Sequence, residues 1–292
     1  MLDDLRAEES ILDERLSEAS DILGFDLGDV IRNGPEARLS QTSVTQPALL
    51  VASVALFEIW SAHRGAAPTI MAGHSLGEYS AFTAAGSLQF NDAVKLVHER
   101  GKLMERAVPG GQGAMAAILG LDDELVSSIC AEIDGVVSPA NMNAPGQVVI
   151  SGEISAVDHA VAKCSEAGAR RSVKLNVSGP FHCQLMTPAA GELEKLLDEV
   201  EIKVPDISVI HNVDASLAID AAGIRDRLVR QLSAPVRWSE CVAAVLASGV
   251  TTVVECGPGK VLTGLLRRID RSVDAFAMGS VDELSAALGA IE

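Results

Sequence analysis

The sequence predicts an α/β protein: a parallel sheet covered by helices on both faces, with a small inserted unit of its own architecture. Three observations predict it. Short apolar runs such as "APTIMAG" and "VTTVVECG" alternate with longer stretches of helical periodicity. A serine flanked by glycines, in "GHSLGEYSA" from Gly73 to Ala81, follows one of those runs where strand should turn into helix. Between residues 109 and 180 the order of elements changes, and the simple alternation resumes afterwards.

The elements follow in order. "AEESILDERLSEASDILG" places Ile11, Leu12, Leu16, Ala19 and Leu23 at helical spacing. "QPALLVASVALFEIWSAHRG" reads as a strongly apolar helix with Pro47 in its first turn, a permitted position for proline. "APTIMAG" is too short for a helix and reads as a buried strand, and residues 78–87 and 91–107 read as two further helices. From Gly113, "GAMAAILGL" reads as a strand and "DDELVSSICAEID" as a helix. "GVVSPANMN" and "GQVVISG" read as strands around "APG", "ISAVDHAVAKCSEAGA" as a helix and "RRSVKLNV" as a strand. That β-α-β-β-α-β order is the ferredoxin-like arrangement, with "VPGGQGA" and "SGP" as its joints. Then come a helix at "ELEKLLDEVEI", a strand at "DISVIHNV", helices at "IRDRLVRQL" and "SECVAAVLASG", and a strand at "VTTVVECG". A helix at "KVLTGLLRRI", a strand at "DAFAMG" and a helix at "VDELSAALGAI" complete the chain. The expected division is a discontinuous large unit, 1–108 and 181–292, around an insert at 109–180.

Composition narrows the function. The 292 residues suit one large domain, or one domain with an insert, and 48% hydrophobic residues supply a sizeable core. A net charge of −17 argues against nucleic acid as a main partner, since phosphate binding needs a basic footprint. No apolar run reaches membrane-spanning length, and the opening "MLDDLRAEES" has neither the basic nor the apolar region of a signal peptide. The five cysteines, Cys130, Cys164, Cys183, Cys241 and Cys256, form no CxxC pair and no zinc spacing. Together these imply a cytoplasmic protein with reduced thiols and no metal site.

G-x-S-x-G between strand and helix is the nucleophile elbow. The sharp turn holds Ser75 strained with its hydroxyl exposed, while Gly73 and Gly77 let neighbouring backbone pack close. The helix that follows points free N–H groups at the site, so the Leu76 amide is placed to stabilise an oxyanion. An ordinary serine in a strand–turn–helix would match the same pattern. A nucleophilic serine needs a base, most often histidine. His63 ends an apolar helix, His159 lies on the polar side of its helix, and His98 sits in a charged one. His74 adjoins the serine but points away from it, which suits shaping the acyl pocket. His182, in "SGPFHCQLM" where the insert rejoins the sheet, is the best candidate, with His211 as the fallback.

"TQPALL", "GHSLGEYSA", "HERGKLM", "GAMAAILGL", "NAPGQVVISG", "PFHCQLM", "VRQL" and "ECGPGKVLTGL" together resemble the malonyl-CoA:acyl carrier protein transacylase family, colinearly over nearly the whole chain. The resemblance implies an α/β-hydrolase-like large domain with a ferredoxin-like insert. It implies Ser75 as nucleophile, His182 as base, and Gln231 as the residue whose main-chain carbonyl orients that histidine. It implies Arg100 as the group that grips the malonyl carboxylate, which suits a bidentate guanidinium. Without the resemblance, Arg100 reads as a surface charge paired with a glutamate such as Glu99. Phe181 is expected beside the acyl group, disfavouring methylmalonyl. The implied reaction moves malonyl from malonyl-CoA to the phosphopantetheine thiol of acyl carrier protein through a malonyl-serine, with CoA thioester as substrate and no cofactor. The family's first strand and its "PGQGSQ" loop find no counterpart, and that loop's first glutamine would supply a second oxyanion amide. An inactive, N-terminally truncated fragment is therefore one competing expectation.

The acidic balance would repel an acidic carrier protein, so a local basic patch is expected. Arg267 and Arg268 with Arg271, or Arg170, Arg171 and Lys174, could supply it, although ordinary solvated charge reads equally well. "CGPGK" lacks the spacing of a phosphate loop and reads as a strand–turn–helix joint. The competing reading is a serine hydrolase or thioesterase on the same fold. Its histidine usually comes late in the chain after an acid, whereas none follows His211 here.

Overall fold

A computed structural model describes residue 5, residues 10–108 and residues 111–291. Residues 7–9 of the first expected helix, and Pro109 and Gly110 of the first joint, lie outside the described residues. The N-terminal part is helical: α1 (Ser10–Leu23), α2 (Leu27–Asn33), a single turn α3 (Glu36–Leu39) and α4 (Thr42–Ala62). Leu12, Leu16 and Ala19 of α1 are buried, as their spacing predicts. The start of α4 corrects the sequence reading: the helix begins at Thr42, so Pro47 lies in its second turn. Proline has no N–H to give the carbonyl four residues back. That carbonyl, on Ser43, instead takes His98 Nδ1 at 2.6 Å, so the helix continues through the proline. A second correction concerns length. Among the described residues α4 is the one helix long and apolar enough to cross a membrane, yet two thirds of its most apolar window is buried within the protein. It packs on α5 (Leu76–Ala84), α6 (Phe90–Ala107) and α1 in the main core.

The parallel strands are short and form two pairs. β1 (Ile70–Ala72) pairs in parallel with β6 (Ser208–Ile210), and β7 (Thr252–Glu255) pairs in parallel with β8 (Asp274–Ala277). Among the described residues no ladder joins the two pairs, and the residues of β1 and β7 are half-buried; parallel strands covered by helices are nonetheless the α/β architecture that the sequence predicts. The pairs share an apolar cluster. Ile70, Ala72 and Ile210 meet Val253, Ala275, Leu265 and Leu266 there, with Trp238. Helices α9 (Thr187–Asp198), α10 (Ala221–Ser233), α11 (Trp238–Ala247), α12 (Val261–Ile269) and α13 (Val281–Ala290) complete this part.

β2 (Gly113–Leu119), α7 (Asp123–Ala131), β3 (Val137–Ala144), β4 (Gln147–Glu153), α8 (Ile154–Glu166) and β5 (Arg171–Lys174) follow the β-α-β-β-α-β order. Their antiparallel sheet has strand order β3-β4-β2-β5, and its face packs on both helices through Ile118, Val148, Ile150, Val126 and Val157. β5 is shorter than the run "RRSVKLNV" suggests: it ends at Lys174, one further bond runs from Leu175 N to Met115 O at 2.9 Å, and Val177 is exposed. Edge strand β3 ties this sheet to the rest of the molecule: Met142 N donates to Val236 O at 2.9 Å and Val236 N to Ala140 O at 2.8 Å. The seam runs directly past the elbow.

Candidate active site

The elbow forms between β1 and α5. Ser75 has φ 52° and ψ −106°, outside the favoured regions for a residue with a side chain. Gly73 is required there, since a Cβ on it would stand 1.9 Å from the Gly77 oxygen. Gly77 is not required on that ground: a Cβ on it would meet nothing within 4 Å. The second glycine thus faces open space instead of neighbouring backbone, which corrects the expectation of close packing at both. Ser75 stands at the N-cap of α5 but its hydroxyl makes no capping bond to the helix, and among the described residues no acceptor takes the Leu76 amide. That N–H is available to an oxyanion.

His182 stands before the single 3₁₀ turn Gln184–Met186, itself in a left-handed conformation with φ 57°. Its Nε2 lies 2.7 Å from Ser75 Oγ, and its Nδ1 lies 2.8 Å from the main-chain oxygen of Gln231. A carbonyl only accepts, so the proton is on Nδ1 and the Nε2 lone pair faces the serine hydroxyl. Burial, reinforced by the Arg100 charge, pulls His182 down to about 3, so the ring is neutral and ready to accept. The other histidines lie elsewhere. His211 Nδ1 meets Glu78 Oε1 at 2.6 Å, and His63 and His159 are exposed. His74 Nε2 reaches Asn143 Oδ1 at 2.8 Å across the seam, and its ring packs on Trp238. Burial lowers its pKa too, so a neutral ring lines the site.

Arg100 comes from the middle of α6 and is 1% exposed. The pairing with Glu99 does not occur; Glu99 takes Lys102 at 2.7 Å. Arg100 Nη1 donates to Gln46 Oε1 at 2.7 Å, and Nη2 to Gln231 Oε1 at 2.8 Å and Ser75 Oγ at 3.3 Å. The guanidinium lies over the Tyr79 ring, its Nε has no partner, and no described carboxylate forms an ion pair with it. A buried cation with no carboxylate in contact is costly, Glu78 acting on it only through space, and an incoming carboxylate would relieve that cost. Phe181 is half-buried and packs on both the main core and the apolar face of Met115, Ala140 and Val149. Arg267 and Arg268 lie apart from this cluster, exposed in the last turn of α12.

Comparison with known proteins fits this geometry. Residues 6–284 match the family described as acyl transferase domain. The malonyl CoA-acyl carrier protein transacylase of Escherichia coli (strain K12) is 50% identical over 290 residues, which are 99% of this chain and 94% of that one. This chain belongs to the malonyl CoA-acyl carrier protein transacylase family. The fold agrees with family members of known structure. An acyl carrier protein S-malonyltransferase from Vibrio cholerae superposes with a TM-score of 0.96 at 50% identity, covering 98% of this chain and 94% of that one. A malonyl-transacylase solved in complex with its type II PKS acyl-carrier protein gives 0.98 at 48% identity, covering 99% and 94%.

Four further polar residues complete the cluster: Gln46, Glu78, Asn143 and Asn212. Glu78 had a readable signal, being the one charged side chain of α5, and it is buried; Gln46 is buried too, but it is one of several polar residues in α4 and does not stand out. Asn143 and Asn212 sit at the ends of strands and carry no such signal.

Proposed function

We infer that this chain transfers malonyl from malonyl-CoA to the phosphopantetheine thiol of acyl carrier protein, as part of fatty acid synthesis, through a malonyl ester on Ser75. One observation carries the choice of acyl group: the Ser75–His182 pair opens beside Arg100, a buried guanidinium without a carboxylate partner. Ser75 Oγ attacks the thioester carbon while His182 Nε2 takes its proton, and the oxyanion is held by the Leu76 N–H. The C–S bond breaks, and the CoA thiolate leaves with the proton from His182. The carrier thiol then gives its proton to His182 and attacks the ester, and Ser75 recovers the proton as it departs. Arg100 orients the malonyl carboxylate throughout, with Phe181 against its methylene. His182 needs no acid behind it, because the Gln231 carbonyl already fixes its tautomer.

Carrier docking is assigned to Arg267 and Arg268. Arg268 Nη1 donates to Gln147 Oε1 at 2.6 Å, so this patch spans α12 and the antiparallel sheet. Lys174 of the alternative patch is engaged with Asp158 at 2.6 Å. The cytoplasm suits the five free cysteines. Intact-mass analysis tests the whole reading. Malonyl-CoA should load Ser75 stably and holo acyl carrier protein should discharge it; release of free malonate without carrier transfer would establish a hydrolase instead.

A further inference from the structure

Glu78 takes no part in the chemistry above, yet it is fully buried three residues beyond the nucleophile. Its carboxylate is ringed by donors. Oε1 takes His211 Nδ1 at 2.6 Å, and Oε2 takes the Asn212 main-chain N–H at 2.9 Å and Gln231 Nε2 at 2.8 Å. His211 Nε2 is buried with no partner, which fits a neutral ring donating through Nδ1. All three neighbours therefore donate, and a carboxylate, which only accepts, matches them.

Glu78 holds Asn212 by its main chain and Gln231 by its side-chain amide, and the side chains of these same two residues grip the nucleophile's backbone. Ser75 N donates to Asn212 Oδ1 at 2.7 Å, and Gln231 Nε2 donates to Ser75 O at 2.9 Å. Asn212 Nδ2 also holds the Gly73 oxygen at 2.8 Å, at the other side of the turn. A strained residue such as Ser75 persists only where its surroundings over-determine it. Here the determining bonds converge on one carboxylate. Gln231 extends the same control outward: its Oε1 receives Arg100, and its main-chain oxygen receives His182.

We propose that Glu78, acting through Asn212 and Gln231, is a positioning residue that locks the strained elbow and keeps Ser75 aligned with His182. Glu78 touches neither substrate nor the reacting atoms. It sets the orientation of the atoms that do, and misplacement on the scale of 1 Å costs about 10²-fold in rate.

The inference rests on Ser75 being the nucleophile, so its test uses a probe that reports nucleophilicity without Arg100. Phenylmethanesulfonyl fluoride sulfonylates an activated serine: the Ser75 Oγ–S bond forms, fluoride leaves, and His182 takes the proton. The parent chain should react at Ser75, and failure to do so would overturn the nucleophile assignment itself. In Glu78→Gln, one acceptor becomes a donor. Single-turnover acylation by malonyl-CoA, by acetyl-CoA and by the sulfonyl fluoride should slow together, by about 10²-fold. Asn212→Ala, which keeps the main-chain N–H to Glu78 but removes the grip on Ser75, should show the same uniform loss, and it decides the matter if Glu78→Gln does not fold. A merely structural role predicts a lower unfolding temperature with Ser75 in the folded protein as reactive as in the parent. That result, or a loss confined to malonyl-CoA, would overturn the proposal.

Discussion

Arg100 Nη2 lies 3.3 Å from Ser75 Oγ, so the group that would receive a carboxylate and the group that would receive an acyl carbon are neighbours. In a malonyl group those two carbons are separated by one methylene. On the proposed function the arrangement would measure the substrate: a free acid one carbon beyond the thioester would meet both groups at once. The guanidinium is held in place by Gln46 at Nη1 and Gln231 at Nη2, both neutral amides, and no described carboxylate pairs with it.

Removing Arg100 should change selectivity more than it changes chemistry. In Arg100→Ala, malonyl loading should fall and acetyl-CoA, which has no carboxylate to bind, should gain relative to it. A charge-assisted hydrogen bond is worth about 1.5–3 kcal/mol, which sets the scale of the altered ratio. Competition between the two thioesters, read by intact mass, measures it. An unchanged ratio would mean that the carboxylate binds elsewhere.

The dyad gives a graded expectation. Ser75→Ala should abolish covalent loading. His182→Ala should slow it by ~10²–10⁴-fold, the usual contribution of a general base, with the fold kept. Rapid-quench loading against malonyl-CoA checks both, and a normal rate in His182→Ala would require a different base for Ser75.

How far the sequence discloses this site depends on the kind of signal each residue leaves. Ser75 and Leu76 are legible because an elbow has a local spacing. His182 is legible because the change in element order marks a joint where a cleft should open. Arg100 is not legible by local pattern. "VHERGK" reads as a solvated helix face, and only the resemblance singles it out. What buries it is long-range: Gln46 and Gln231 lie 54 and 131 residues away. The elements are more legible than their pairing. Strand and helix periodicity is local, whereas the separation of β1·β6 from β7·β8 depends on contacts that no short window contains. The start of the helix through Pro47 is hidden for the same reason, its freed carbonyl being taken by His98 from another helix.

The pH behaviour should report the low pKa of His182. A free-enzyme base at about 3 keeps its lone pair far below the ordinary 6.5, so the acid limb of kcat/KM for loading should lie well below 6.5. Burial is the larger cause and the Arg100 charge the second, so Arg100→Leu should move that limb upward without restoring it fully. The same shift links to stability. The unfolded histidine binds a proton below 6.5 while the folded one does not, so the contribution is fully present above 6.5. It is lost as pH falls toward the folded value, at up to about 1.4 kcal/mol per pH unit. His74, also lowered by burial, acts with the same sign. Urea unfolding across that window should show a shallower pH slope for His182→Gln than for the parent, and equal slopes would show that His182 titrates normally.

The two glycines of the elbow should respond oppositely to one methyl group. At Gly73 a Cβ would stand 1.9 Å from Gly77 O, 2.0 Å from Gly77 C and 2.6 Å from Glu78 N. These are backbone atoms at the start of α5 and cannot swing aside, so Gly73→Ala must push the helix away from β1. The turn that strains Ser75 would open, Asn212 would lose its bond to the Gly73 oxygen, and both stability and Ser75 acylation should fall. At Gly77 the added Cβ meets nothing within 4 Å, and the residue sits in the first turn of α5 with no positive φ to forbid alanine. Replacing glycine by alanine in a helix gains about 0.5–1 kcal/mol, so Gly77→Ala should unfold at a temperature equal to or above the parent's. Thermal unfolding and sulfonyl fluoride labelling of the pair separate the effects. A stable, fully reactive Gly73→Ala would show that the elbow tolerates a wider turn than its geometry indicates, and a destabilised Gly77→Ala would show that the space beside it is filled in solution.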